Sequence, residues 1–491
     1  MKRAAYLFLD PRVERERFGM QIGELSPFEV GIPLLDLSSE LIREIYYYRQ
    51  HSFCKHVRRS PRGYIVTEFY PDVPWAGKYN TISCPAGHHL YEGRWLHDPS
   101  YLESYARFWF TEDGDPRHYS FWAADATLAF CLVTGDLSLA KELYPALCEN
   151  YRAWEEKAGL ANGLFYQEDG KDGMEYSISG HGARPTICSY MYGDAVALSK
   201  IAALLGRTED EALYAEKARR IKERVDALLW DAEAEFYKTR SEQLGYEMAD
   251  VRELIGYVPW YFHLPDGDKS GAWRYLNDRK CFDASYGPTT AEQSHPDFMK
   301  TFDHECLWNG PSWPYATAQT LTALGNLLSD YEQSTVRRSD YFKWLERYAK
   351  EQHLTEKGKT TPYIDENLDP YTGTWLARAL LRTMPNPPGG IHRGDDYNHS
   401  TFCDLVLTGL VGIRPSLSDN LSVKPLFEEA DLSYLCADGV LYHGHSLTVL
   451  WDRDGTRYGV GRGLFVYLDG DLAASSEHLS DLEVSLKELK S

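Results

Sequence analysis

The stretch Ser120-Phe-Trp-Ala-Ala-Asp-Ala-Thr-Leu-Ala-Phe-Cys-Leu-Val-Thr-Gly-Asp136 decides the fold class. Phe121, Trp122, Ala124, Leu128 and Cys131 recur at helical spacing, and Gly135-Asp136 ends the run. A second helix follows at once over 139–157, with Leu143, Tyr144, Leu147, Tyr151 and Trp154 on one face. The unit returns twice. Residues 190–205 stop at Gly206, and Thr208-Glu209-Asp210 opens a helix to about Leu229; residues 313–328 are followed by 340–350. These are antiparallel helix pairs joined by short turns. No strict period of 34 or 40 residues appears, so a regular solenoid is disfavoured and a toroid of helical hairpins is expected.

On either side the pattern differs. Residues 1–65 form an N-terminal arm with one helical stretch at 38–50, expected to pack on a helical unit spanning 66–412. From 413 to 491, short alternating runs such as Ser446-Leu-Thr-Val-Leu-Trp451 predict a small β-domain with a charged, helical tail. Asp454-Gly455 and Asp469-Gly470 are its hairpin signals. The chain is thus expected to be mainly α.

Composition narrows the function. Lys plus Arg number 52 against 73 Asp plus Glu, a net charge of −21, which repels a phosphate backbone. No nucleic-acid partner is expected. The apolar run Ala4–Leu9 is too short for a leader, and no stretch suits a membrane span. The 9 cysteines are scattered without a Cys-x-x-Cys pair and read as reduced thiols of a cytoplasmic protein. Trp 13 and Tyr 35 are abundant, and such side chains suit sugar clefts, with one apolar and one polar end.

The long breaks between helices carry the chemistry. Glu168-Asp-Gly-Lys-Asp-Gly-Met-Glu-Tyr-Ser177 and Tyr363-Ile-Asp-Glu-Asn-Leu-Asp-Pro-Tyr-Thr-Gly373 are both rich in carboxylates. Read alone, each is a polar turn. Together they supply what glycoside hydrolysis requires, one protonated and one ionised carboxyl from distant loops. Leu307-Trp-Asn-Gly-Pro-Ser-Trp-Pro-Tyr315 offers Trp308, Trp313 and Tyr315 as stacking faces and Asn309 as a hydrogen-bonding group. Gly87-His-His-Leu-Tyr-Glu-Gly-Arg-Trp-Leu-His-Asp98 adds Glu92, Arg94 and Trp95 as candidate hydroxyl-binding groups or a structural cluster. His88-His89 and Asp303-His304-Glu305 read as ordinary polar contacts, so neither metal nor cofactor is expected. No P-loop, His-Glu-x-x-His or Gly-x-Ser-x-Gly element is present.

Three of these stretches carry a family resemblance. Glu366-Asn-Leu-Asp-Pro-Tyr-Thr-Gly373 resembles the Glu-Asn-Tyr-x-Pro-x-Thr-Gly element of glycoside hydrolase clan G, which includes trehalases, family 63 α-glucosidases and mannosylglycerate hydrolase-like enzymes. Gly173-Met-Glu-Tyr-Ser177 is similar to the clan's acid-bearing element, with Glu175 where the clan usually has Asp. Trp308-Asn-Gly-Pro-Ser-Trp313 resembles its aromatic sugar-binding stretch. The resemblance implies an (α/α)6 barrel and an inverting, exo-acting hydrolase of a small α-linked glycoside or oligosaccharide. Glu366 is then the base and Glu175 the acid, with Asp172 as rival acid. Inversion calls for carboxyls about 6.5–9.5 Å apart. Arg184 and Asn309 are expected to bind hydroxyls or a substrate carboxylate, and His392, Arg393, Tyr397 and His399 to close the sugar subsite. Two other readings stay open: a sugar 2-epimerase using His304, His392 and His399, and a non-catalytic carbohydrate-binding protein. Oligomeric state is unspecified.

Overall fold

The computed structural model describes residues 4–20, 22–301 and 303–487. Helix Ala123–Thr134 buries residues on nearly every side, as a helix enclosed by others must. Gly135 caps it in the left-handed conformation, φ 71°. Helix Thr208–Leu228, by contrast, buries only Tyr214, Ala218, Ile221 and Val225, a single stripe. The two patterns mark an inner and an outer layer.

The inner elements pack in sequence. Ala86–Gly93 lies on Ala123–Thr134, which lies on Pro185–Leu204. That helix meets Val258–Tyr261, which packs on Pro314–Asp330. Pro314–Asp330 meets the short turn Cys403–Leu405, and Cys403–Leu405 returns to Ala86–Gly93. The chain of contacts closes on itself. Outside it, Ser138–Ala158, Thr208–Leu228, Arg338–Glu351 and Glu40–His56 each cover an inner neighbour.

Three sequence expectations change here. Residues 86–93, expected in a loop, form a helix. Gly87 and Gly93 weaken its helical signal, yet both are required by packing. A Cβ on Gly87 would stand 2.4 Å from the Trp122 indole, and one on Gly93 2.7 Å from Phe53. The tail expected to be helical forms strand Leu482–Ser485 as far as it is described, with Val484 buried opposite Leu421. Asp454-Gly455 opens a longer loop, where the Asp452 carboxylate accepts from the Gly455 and Arg457 amides. Asp469-Gly470 does turn the hairpin between Gly463–Leu468 and Asp471–Ser476.

The β-region is a five-stranded antiparallel sheet with an unexpected first member. Strand Leu34–Leu37 pairs with Tyr434–Tyr442, followed by His445–Asp452, Gly463–Leu468 and Asp471–Ser476. The N-terminal segment is held there again by Asp438, whose carboxylate accepts from the Leu7, Phe8 and Leu9 amides. The described part of the N-terminal arm therefore contributes to both regions: a strand to the sheet and helix Glu40–His56 to the outer helical layer.

The helical layers position the site by a simple rule. Several segments that lead into the N-terminus of an inner element meet at one end of the ring. Glu68 precedes Ala86–Gly93, Glu175 precedes Pro185–Leu204, Glu305 precedes Pro314–Asp330, and Glu366 and Arg393 precede Cys403–Leu405. Among the described residues no helix is long and apolar enough to cross a membrane.

Candidate active site

These segments enclose a cavity of about 250 Å³, walled by Glu68, Glu175, Glu305, Glu366 and Arg393, with aromatic rings between them. Three larger clefts lie elsewhere, of about 560, 500 and 390 Å³. The first is lined by Trp375 and Arg378, the second by Tyr91, Asp125 and Arg414. None of the three includes Glu175 or Glu366, so the smaller cavity holds the carboxylate pair.

Glu175 sits on a braced loop. Gly173, φ 71°, leaves no room for a side chain, since a Cβ would meet the Cys84 sulfur at 2.5 Å. Met174 is fully buried, and the Trp308 amide donates to the Glu175 carbonyl at 3.0 Å. Tyr176 is in the left-handed region, φ 61°, a costly conformation that turns the chain beside Glu175. Burial pushes the Glu175 carboxyl up to about 7, with Asp169, Glu366 and Glu305 adding to it. Such a group keeps much of its proton at neutral pH.

Glu366 has the opposite surroundings. Arg393 Nε donates to Oε1 at 2.9 Å and the Cys306 thiol to Oε2 at 3.2 Å. One of these donors is a cation and the other a weak thiol donor. Its loop is tied down by paired amide bonds between Ser312 and Leu368, each 3.0 Å, and by Asn367 Nδ2 donating to the Glu305 carbonyl. Asp365 accepts from the Glu366 amide and from the Tyr363 hydroxyl; burial and the Glu366 charge push it up to about 7. Asp369 serves the turn, accepting from the Tyr371 and Thr372 amides.

The remaining walls suit a polyhydroxyl ligand. Trp308 and Trp313 stack at 4.6 Å, and Tyr315 and His399 lie ring to ring at 6.2 Å. Trp308 Nε1 and both ring nitrogens of His399 are buried without a hydrogen-bond partner among the described residues. Burial keeps His399 neutral. An unpaired buried donor costs about 1–3 kcal/mol, a deficit that a ligand hydroxyl removes. Tyr397 donates its hydroxyl to Glu68, whose carboxyl burial pushes up to about 8.

Several expected site residues are placed elsewhere. Asp172 is absent from the cavity walls; its side chain is fully buried, accepting from Arg184 Nε at 2.7 Å and from Thr186. Arg184 Nη1 donates to the Gly180 carbonyl and Ser177, and Nη2 to the Met174 sulfur, so this pair braces the Glu175 loop from outside the cavity walls. Glu92 follows the structural alternative, accepting from the Phe402, Cys403 and Asp404 amides at a helix start. Arg94 and Trp95 both donate to Asp404, at 2.8 and 2.7 Å. Their polar and aromatic composition reflects a buried interhelical network. Asn309 reaches the Thr301 carbonyl, and His392 is largely exposed beside Asp395. Trp308, Trp313, Tyr315, Arg393, Tyr397 and His399 do line the cavity with Glu175 and Glu366.

Sequence reasoning missed Glu68, Cys84 and Cys306, and weighed Glu305 only as a metal ligand. None belongs to a motif; ring closure brings them together. Among the described residues no three His, Cys, Asp or Glu side chains are grouped to hold a metal ion.

Comparison with known proteins agrees with this architecture. Residues 78–400 match the mannosylglycerate hydrolase MGH1-like glycoside hydrolase domain, and the chain belongs to that family. A solved structure titled "Sialidase" is 39% identical with a TM-score of 0.90 over 98% of this chain. The chain spans only 45% of that protein's length. The GH63 mannosylglycerate hydrolase from Thermus thermophilus, solved with Tris, is 14% identical over 74% of this chain and 100% of its own, TM-score 0.52. The GH78 rhamnosidase of a Bacillus species is also 14% identical, over 86% of this chain and 40% of its own, TM-score 0.53. These last two are likenesses of fold.

Proposed function

We propose that this member of the family is an exo-acting, inverting glycoside hydrolase of small α-linked glycosides or oligosaccharides, built on an (α/α)6 toroid. Glu175 is the general acid and Glu366 the general base. The observation that carries this reading is the pair of carboxyls in one cavity with opposite environments. Glu175 is pushed up by burial, whereas Glu366 is held by a guanidinium and a thiol. Different surroundings are how two carboxyls divide acid and base work.

In the reaction, Glu175 gives its proton to the glycosidic oxygen as the bond to the anomeric carbon breaks. Glu366 takes a proton from a water on the opposite face, and that water's oxygen becomes the new anomeric hydroxyl. Trp308 and Trp313 face the sugar ring, and Trp308 Nε1 and His399 take hydroxyls. A cavity of about 250 Å³ lies just below the usual ~300–1,000 Å³ of small-ligand sites, which suits removal of one terminal sugar. The epimerase reading loses support because His304 and His392 lie outside the walls and only His399 is within them.

Proton NMR at early times, on a panel of α- and β-linked disaccharides and glycosyl-glycerates, tests the proposal. The expected result is release of a sugar with inverted anomeric configuration. A retained configuration defeats the base role of Glu366, and a changed sugar with its linkage intact restores the epimerase.

A further inference from the structure

Among the described residues, Arg393 is the only cation in the cavity walls, and its charge is already met twice. Nε serves Glu366 at 2.9 Å, and Nη1 serves Glu305 Oε1 at 3.2 Å and the Pro388 carbonyl at 3.1 Å. Its guanidinium carbon lies 5.0 Å from the centre of the Trp75 ring, and the side chain is only 2% exposed. Four carboxyl groups share the walls with this one guanidinium. His399 adds no charge, because burial keeps it neutral. Beyond the walls, Lys171 stands over the Tyr119 ring at 5.1 Å, and Arg184 is closed on Asp172.

Glu305 is not required by the acid–base chemistry, yet it is built into the site. Its carbonyl accepts from Asn367 of the Glu366 loop at 3.0 Å, and its side chain is 13% exposed. Burial alone would raise its carboxyl; its own amide, Arg393 and His304 outweigh that and hold it below the ordinary glutamate range. It therefore stays ionised at neutral pH. Carboxylate ligands are received where guanidinium charge is in surplus; Arg393 Nη2 has no hydrogen-bond partner among the described residues, but the group's charge is already shared by two carboxylates. This wall has a negative surplus, and a carboxylate entering it would lose water without a matching charge. What the walls do offer is unpaired neutral groups, Trp308 Nε1 and the His399 ring nitrogens.

Resting on the acid–base reading of this same cavity, we propose that Glu305 is a specificity-determining residue. By occupying Arg393, it makes the site one for an uncharged glycosyl group and excludes sugars that carry a carboxylate.

The test is a binding comparison of matched pairs, glucose with glucuronate, galactose with galacturonate and mannose with mannuronate, at pH 7. Saturation-transfer NMR and quenching of tryptophan fluorescence provide the readouts. In the unaltered protein, the neutral member of the best-bound pair is expected to bind at least tenfold more tightly. Glu305→Gln should shrink that ratio about tenfold by freeing Arg393, while Glu305→Asp should largely preserve it; circular dichroism confirms that both variants are folded. Tighter binding of any uronate than of its neutral partner in the unaltered protein overturns the proposal, as does an unchanged ratio in Glu305→Gln. The binding ratio needs no turnover. An active Glu366→Gln enzyme would sink the catalytic reading and leave this measurement standing.

Discussion

Two buried carboxylate–guanidinium pairs stand on the same end of the ring in different surroundings. Asp172–Arg184 is closed: the contact is 2.7 Å, both side chains are 0% exposed, and the guanidinium's other donors end on Gly180, Ser177 and the Met174 sulfur. Glu366–Arg393 is nearly as buried, at 1% and 2%, with a contact of 2.9 Å. Yet both of its members form cavity wall, and its second carboxylate oxygen is met only by a thiol, a weak donor. Under the proposed mechanism, burial and pairing alone do not separate the structural acid from the working one. Whether a lone pair can reach a ligand does, and Asp172 fails that test.

Replacing each acid by its amide gives the sharpest contrast. Glu366→Gln should lower kcat/KM by roughly a thousandfold, within the ~10²–10⁴ that a general base contributes, because an amide cannot accept the proton of water. Its thermal unfolding should stay close to that of the unaltered protein. Steady-state kinetics on the substrate found by NMR, with calorimetry alongside, measures both. A fully active variant ends the comparison and the mechanism with it.

Asp172→Asn should behave the other way. Breaking a buried pair strands Arg184, at a cost of about 3–5 kcal/mol. Denaturant unfolding should move by that amount, and the protein that remains folded should turn over at a rate within a few fold of normal. If Asp172→Asn unfolds normally but loses turnover, and if substrates with good leaving groups restore it, Asp172 is the acid and the two pairs exchange roles.

How much of this contrast is legible before folding depends on the range of each interaction. The helical hairpins are visible because their apolar stripes are local, as in Tyr214, Ala218, Ile221 and Val225. Helix Ala86–Gly93 is hidden by its two glycines, and Cys403–Leu405 is too short to carry a period. Strand Leu34–Leu37 finds its partner some four hundred residues later, so nothing nearby announces it. The site divides in the same way. Glu175 and Glu366 lie in short elements whose spacing is distinctive. Glu92, Arg94 and Trp95 also looked functional, but composition does not reveal that they face the Phe402–Asp404 amides and the Asp404 carboxylate. Glu68, Glu305 and Cys306 carry no local signal, because only ring closure brings them to the cavity.

A smaller effect separates Glu175 from Asp172 without stopping the reaction. The proposed acid works only while protonated, and burial pushes Glu175 up to about 7. The active fraction is therefore nearly complete well below pH 7, about half at pH 7, and falls about tenfold for each further unit. The pH profile of kcat/KM should show an alkaline limb with its midpoint near 7. In Glu175→Gln, assayed on substrates whose leaving groups need no proton, that limb should vanish while turnover persists. The folded fraction of Asp172→Asn should keep the limb where it was, because the buried pair supports the Glu175 loop without supplying the proton. A limb that moves with Asp172 and ignores Glu175 would place the acid in the closed pair, and the lone-pair criterion that separates the two pairs would fail with it.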